Sequence, residues 1–154
     1  MPEFAYQDVE AWNTSVRLAA AVGRLKVASN LKAAADAHSH AFEQAGMACT
    51  LIAEGATREG PGLVALYRDA RGALAQSRAW LHVLAAVTNE QDAVFGNELD
   101  LAETASRQLQ ATLRTIDRPG PGGPRPMARE MPPGRPGGPR PPGPGPRRGE
   151  RGPR

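Results

Sequence analysis

Residues 117–154 are built almost entirely from proline, glycine and arginine, and they contain no leucine, isoleucine, valine or aromatic residue. Ordering a backbone costs about 1 to 2 kcal/mol per residue, and a segment without large apolar side chains has no burial with which to offset that cost. We therefore expect a disordered basic tail over residues 117–154. Folding is then confined to residues 1–116, a length that suits one small domain.

Charge divides the chain at the same place. Residues 1–116 carry 10 Lys or Arg against 13 Asp or Glu, whereas the tail carries nine Arg against three acids. Arginine offers a planar fork that suits phosphate, so we interpret the tail as a nucleic-acid-binding arm with Arg147, Arg148 and Arg151 among its contact residues. The tail lacks aromatic residues for base stacking, and the alternative is that it serves only solubility.

The single cysteine, Cys49, excludes an intramolecular disulfide and favours a reducing compartment. The first residues, Met1-Pro2-Glu3-Phe4, lack the apolar segment of a secretory signal. No apolar run approaches the ~20 residues that span a bilayer. We therefore expect a cytoplasmic protein that does not associate with membranes.

Four segments of residues 1–116 carry apolar residues at helical steps of three and four. We expect Asp8 to be the N-cap of the first helix, Gly55 to be the C-cap of the second, and Gly60-Pro61-Gly62 to break the chain before the third. The predicted helices cover residues 8–25, from 29 or 30 to 55, about 63–87, and 89–116. Their predicted core faces are, in chain order, Val9, Trp12, Val16 and Ala19, widened by Leu18, Val22 and Leu25; Leu31, Ala35, Phe42, Ala45, Cys49 and Ile52; Leu63, Leu66, Ala70, Leu74, Ser77, Leu81 and Leu84; and Phe95, Leu99, Ala102, Ser106, Leu109, Leu113 and Ile116.

Helices of this length, joined by linkers of about three to eight residues, pack most simply as antiparallel neighbours. The predicted fold is therefore all-α, an antiparallel up-down-up-down four-helix bundle. Alanine at many core positions supplies little buried area. We accordingly expect the bundle to gain burial by forming a homo-oligomer.

Three stretches carry a resemblance to a known family: residues 6–12, the motif Ile52-Ala53-Glu54-Gly55 with Arg58 after it, and residues 70–76. Together they resemble the small bacterial four-helix-bundle family named after the intervening sequence of large-subunit ribosomal RNA genes. Relatives of that family include the accessory variability proteins of diversity-generating retroelements. The three stretches frame nearly all of residues 4–116.

The resemblance implies a helical bundle. In the retroelement relatives it further implies a pentameric ring with a basic surface that joins a reverse transcriptase and its RNA. Structural roles follow for residues of the three stretches, namely Trp12, Ile52, Glu54, Gly55 and Gly72. Because one fold serves many functions, the resemblance informs the fold more than the function.

Outside the tail, Glu54 is the residue whose position most clearly indicates a specific role. A carboxylate in the last turn of a helix faces the negative end of the helix dipole, which is unfavourable unless a cation compensates. Arg58 is close enough to do so, and we predict an ion pair that holds the turn after the second helix. A catalytic acid would need a partner that the sequence does not show.

The third helix carries a second candidate. Arg68, Arg71 and Arg78 fall within about 80° of one another around the helix axis. We interpret them as a basic stripe for RNA phosphates, extended by Arg58. The alternative is ordinary solvent-exposed arginine, paired with Asp69 and with acids of neighbouring helices.

The sequence offers no combination of residues that indicates catalysis. His38 and His40 are two residues apart on a helix, unlike the i, i+4 pair of a zinc helix. Neither a P-loop nor a Ser or Cys nucleophile with a positioned base can be assembled. We therefore expect no enzymatic activity, no metal and no cofactor.

The predicted function is that of a non-catalytic, oligomeric adaptor that binds nucleic acid, RNA foremost, together with a partner of the reverse-transcriptase type. The alternative is a protein–protein interaction module with no direct nucleic-acid function.

Overall fold

A computed structural model describes residues 5–27 and 30–116, and this part of the chain is helical throughout, without a strand. Four α-helices are preceded or interrupted by two short 3-10 turns. The helices are α1 (Glu10–Gly23), α2 (Lys32–Ala56), α3 (Gly60–Thr88) and α4 (Gly96–Ile116), and the 3-10 turns are Ala5–Asp8 and Asp92–Phe95.

The helices pack in a closed ring. Each helix contacts the next one along the chain, and α4 returns to contact α1. This arrangement confirms the predicted antiparallel up-down-up-down four-helix bundle. The prediction of a disordered tail concerns residues 117–154, which lie outside the described residues.

Backbone geometry at the helix ends differs from the predicted caps. Val9, and not Asp8, is the N-cap residue of α1, and no side chain caps that end. Gly55 does not end α2, because the helix continues to Ala56. Gly60-Pro61-Gly62, which we expected to break the chain before α3, instead forms the first turn of that helix. The helix begins at Gly60, whose φ is 60°.

The end of α3 is closed by a left-handed residue. Asn89 has φ of 57°, a conformation that asparagine tolerates better than most residues. Its N–H donates to the carbonyl of Ala86, and the N–H of Glu90 donates to the carbonyl of Ala85 at 2.9 Å. This pair of bonds is a Schellman motif, which satisfies carbonyls that a helix end would otherwise leave open.

The core faces predicted for α3 and α4 are largely confirmed. Leu74, Leu81 and Leu84 of α3 and Leu109 of α4 are fully buried. The predicted Ser106 and Ile116 are not buried in α4, where Ala105 is buried instead.

The core faces predicted for α1 and α2 are confirmed only in part. Leu18 and Val22 of α1 and Ala45 and Ile52 of α2 are fully buried as expected, but other predicted residues are not. Val16 of α1 and Phe42 of α2 are 39 % and 47 % exposed. The buried residues are small or polar for the most part: Ala11, Thr14, Ser15, Leu18 and Val22 in α1, and Ala34, Ala37, Ala41, Ala45, Ala48, Ile52 and Gly55 in α2.

The buried stripe of α2 lets α3 approach closely. Ser77 of α3 is fully buried and its Oγ donates to the carbonyl oxygen of Ala41 at 2.8 Å. At the other end of the pair, the ring of Tyr67 lies against Gly55. Such contacts fix the register of α2 on α3.

None of the described helices is both long enough and apolar enough to cross a membrane.

Candidate nucleic-acid interface

The outer surface between α3 and α4 carries a three-membered ionic cluster. Arg78 of α3 donates from Nη1 to Oε2 of Glu103 on α4 at 2.6 Å. Arg107, one turn further along α4, places its Nε 3.8 Å from Oε1 of the same carboxylate. All three side chains are roughly half-exposed or more, so the cluster lies at the surface and each pair contributes only about 1 kcal/mol or less.

The contact between Arg78 and Glu103 also fixes the alignment of the two helices. His82 lines one groove with Leu99, and Ala75 lines another with Ser106, in the same antiparallel register. This register places Arg71 at the level of Gln110.

Two arginines of α4 join the stripe predicted on α3. Arg107 faces α3, because it shares Glu103 with Arg78. Arg114 follows seven residues later, about two helical turns, and therefore lies on the same side of α4. We call the resulting surface the arginine face; it consists of Arg68, Arg71, Arg78, Arg107 and Arg114.

Two of these five arginines lie outside the stripe that the sequence predicts. From the sequence, Arg107 is predicted only to pair with Glu103, four residues before it on the same helix. No role is predicted for Arg114. The seven-residue spacing of Arg107 and Arg114 is the signal that could have found them, since residues seven apart share a helix face.

Charge is unevenly distributed along the groove between α3 and α4. Asp92, Asp100 and Glu103 lie at the end where α4 begins, and His82 Nδ1 lies 3.0 Å from Oδ2 of Asp92 there. The opposite end holds Arg71 and Arg114, and neither forms an ion pair with a described residue. The positive part of the surface is therefore the end at which α3 begins and α4 ends.

Arg58 lies at that same end of the bundle, in the link between α2 and α3. Its Nη2 donates to Oε1 of Glu54 at 2.5 Å, so the expected ion pair is present. The turn is further held by Thr57, whose Oγ1 donates to the carbonyl of Glu54 at 2.7 Å. Glu54 is thus engaged in closing the end of α2.

The other residues named from the sequence have different surroundings. Ile52 is fully buried. Trp12 is partly buried against the core, and the centroid of its ring lies 4.9 Å from the centroid of the Tyr6 ring. Gly72 is not packed against another helix, since a Cβ added there would meet no other group within 4 Å. The tail residues Arg147, Arg148 and Arg151 lie outside the described residues.

The three histidines are separated and have structural partners. His38 Nε2 donates to the carbonyl of Val22 at 2.7 Å, which ties α2 to the end of α1. His40 stacks on Trp80 with ring centroids 4.5 Å apart. Among residues 5–27 and 30–116, no group of three His, Cys, Asp or Glu side chains is placed to hold a metal ion.

Cys49 is partly buried on α2. Burial raises the pKa of its thiol to about 11, and the Sγ–H donates to the carbonyl of Ala45. Since the thiolate is the nucleophilic form, this thiol is unreactive near neutral pH.

The chain matches no family model, and neither the curated proteins nor the solved structures contain a significantly similar protein.

Proposed function

We propose that this chain is a non-catalytic adaptor that binds nucleic acid, RNA foremost, through the arginine face. The observation that carries the proposal is that Arg78 of α3 and Arg107 of α4 meet at Glu103. Helical spacing places Arg71 and Arg114 further along the same sides of these two helices. Guanidinium groups bind phosphate through two parallel N–H donors. Helices in a packed bundle hold the Cα positions of such groups at fixed spacing.

The strength of binding should vary along the face. Arg78 and Arg107 have to exchange Glu103 for phosphate as their partner. Arg71 and Arg114 form no ion pair with a described residue, so they can meet phosphate without first giving up a partner. Arg58 extends the surface at the same end, and the arginines of residues 117–154 would add a sequence-independent contribution.

The resemblance to the intervening-sequence family supplies the remaining parts of the proposal. By analogy with that family, the chain would act in the bacterial cytoplasm as a homo-oligomer, a pentamer in the retroelement relatives. A reverse transcriptase would be the protein partner. These parts rest on the three matching sequence stretches and not on the arrangement of the bundle.

A double substitution tests the arginine face. Arg71→Gln with Arg114→Gln should weaken binding of a labelled single-stranded RNA of mixed sequence by about tenfold at low salt. The slope of log K against log salt should fall by about 1.4, because each phosphate neutralised on a single strand contributes about 0.7 to it. Fluorescence anisotropy across a salt series measures both quantities.

The matched control is Arg17→Gln with Arg24→Gln, which removes the same charge from α1 and its end. This control should bind RNA within about twofold of the unaltered chain. Equal weakening in the two double variants would show that net charge, and not the arginine face, governs binding.

The alternative function, a protein-interaction module, is favoured by a different observation. Phe42, Met47 and Val83 are between 41 % and 49 % exposed, and large apolar side chains at a surface are typical of protein contacts. In that case, the Arg71 and Arg114 variant should retain its protein partner in co-purification after RNase treatment.

A further inference from the structure

Glu103 lies where the two helices of the arginine face meet, and both oxygens of its carboxylate are engaged. Arg78 Nη1 donates to Oε2 at 2.6 Å from α3. Arg107 Nε lies 3.8 Å from Oε1, one turn further along α4. A single carboxylate therefore holds one guanidinium group from each helix.

These three side chains are accessible to a dissolved ligand. Glu103 and Arg78 are 46 % and 48 % exposed, and Arg107 is 71 % exposed. Ion pairs with this exposure contribute little to folding stability, so a ligand can displace them without unfolding the bundle.

Glu103 and a phosphate group compete for the same donors. Carboxylate and phosphate oxygens both accept the N–H groups of guanidinium. Glu103 is part of the bundle, so its ion pairs form without the loss of translational freedom that a dissolved ligand undergoes. Its negative charge also repels a polyanion at close range. Arg78 and Arg107 are thus engaged before RNA arrives.

The competition is specific to Glu103 and does not extend to the acid nearest to it in the groove. Asp100 lies three residues before Glu103 on α4 and lines the same groove as Arg78. It forms no ion pair with Arg78 or Arg107, although all four residues belong to the described part of the chain. Removal of the charge of Asp100 therefore releases neither arginine.

We propose that Glu103 is a built-in competitor that lowers the affinity of the arginine face for RNA. It holds Arg78 and Arg107 in the ligand-free protein, which leaves Arg71 and Arg114 as the first point of contact. A polyanion that reaches several arginines at once can displace Glu103, whereas a single phosphate group lacks that advantage. The role of Glu103 rests on the proposed binding of nucleic acid by this face.

Glu103→Gln tests the competitor, because glutamine keeps the length of the side chain and removes its charge. This variant should bind the labelled single-stranded RNA of mixed sequence about fivefold more tightly than the unaltered chain at low salt. The gain should shrink as salt is added, since dissolved ions screen exposed charges. Fluorescence anisotropy on the full chain measures both effects, with circular dichroism as the check that the bundle is folded.

Two further variants separate release of the arginines from a change in local charge. Asp100→Asn removes one negative charge from the same groove, and its affinity for RNA should rise by less than about twofold. The second variant carries Glu103→Gln together with Arg78→Gln and Arg107→Gln. Because Glu103 acts through these two arginines, its substitution in that background should gain no more than Asp100→Asn does.

Three results would each overturn the role of Glu103. They are equal gains from Glu103→Gln and Asp100→Asn, a full gain that persists without Arg78 and Arg107, and the absence of any gain from Glu103→Gln.

Failure of the competitor can be distinguished from failure of the arginine face. If Arg71→Gln with Arg114→Gln weakens RNA binding while Glu103→Gln shows no gain, the competitor alone is disproved. If neither the unaltered chain nor Glu103→Gln binds RNA, the proposed function is wrong and the competitor is disproved with it.

Discussion

Gly55 is the residue at which the packing of α2 on α3 is tightest. A Cβ at this position would lie 2.6 Å from Cε1 and 2.7 Å from Cδ1 of Tyr67, closer than carbon atoms approach one another. Tyr67 is itself 3 % exposed, so its ring has little room to move aside. The absent side chain at Gly55 is therefore a requirement of the contact between the helices, and not of a helix end.

Gly55→Ala should destabilise the bundle. Overpacking a core typically costs about 1 to 3 kcal/mol, which outweighs the gain of up to about 1 kcal/mol that alanine offers within a helix. Gly72→Ala is the control in the next helix, since its Cβ would enter open space. It should stabilise by about 0.5 to 1 kcal/mol.

Urea denaturation of both variants measures these changes in the free energy of unfolding. If Gly55→Ala were as stabilising as Gly72→Ala, the ring of Tyr67 could not lie where the structure places it.

The surroundings of Gly55 show what local sequence can and cannot predict. The ion pair between Glu54 and Arg58 was predictable, because both residues belong to one helical turn and its link. The role of Gly55 was not, because the ring that covers it comes from another helix. A glycine near a helix end is most often a cap, and here that prior expectation was wrong.

At the scale of the helix, α2 shows how a hydrophobic pattern can predict a buried face only in part: Ala45 and Ile52 are buried as expected, and Phe42 is not. Its largest apolar side chains include Phe42 and Met47, which are about half-exposed, whereas five of the seven buried residues are alanine. Hydrophobic periodicity favours the stripe with larger residues. In this bundle the close approach of α3 selects the stripe of smaller residues.

Adjacent substitutions on α2 distinguish the two faces. Ala41→Leu should destabilise by about 1 to 3 kcal/mol, since Ala41 is fully buried opposite Ser77. Phe42→Ala should cost about 1 kcal/mol or less, well below the roughly 3 to 5 kcal/mol of a phenylalanine in a core.

Chemical denaturation again provides the measurement, and comparable m-values would show that both variants unfold as the unaltered chain does. If Phe42→Ala were more destabilising than Ala41→Leu, Phe42 would belong to the buried face of α2, as the sequence predicts.

At the scale of the whole molecule, the arginine face depends on how two helices align. The stripe on α3 was predictable from helical spacing alone. The seven-residue spacing of Arg107 and Arg114 places them on one side of α4. That this side adjoins the stripe on α3 was not predictable, because it requires the register that Arg78 and Glu103 define. The number of helices, their order and their antiparallel packing followed from segment length and short links.

Removal of residues 117–154 tests the division of labour between tail and bundle. If tail arginines bind phosphates, the truncated chain should show a smaller slope of log K against log salt, by about 0.7 for each phosphate that the tail neutralises. Residual RNA binding should remain, and it should still be weakened by Arg71→Gln with Arg114→Gln.

The comparison is made by anisotropy on the same RNA, with circular dichroism as the check that the bundle remains folded. An unchanged slope after truncation would assign all phosphate binding to residues 1–116.

The closed ring of helices has a consequence for how the chain reaches its native state. The contact between α2 and α3 requires only the short loop of residues 57–59 to close, whereas the contact between α1 and α4 closes a loop that spans most of the domain. Closing a long loop costs more entropy than closing a short one, and local contacts form faster. We therefore expect the hairpin of α2 and α3 to form early and the docking of α4 on α1 to complete folding.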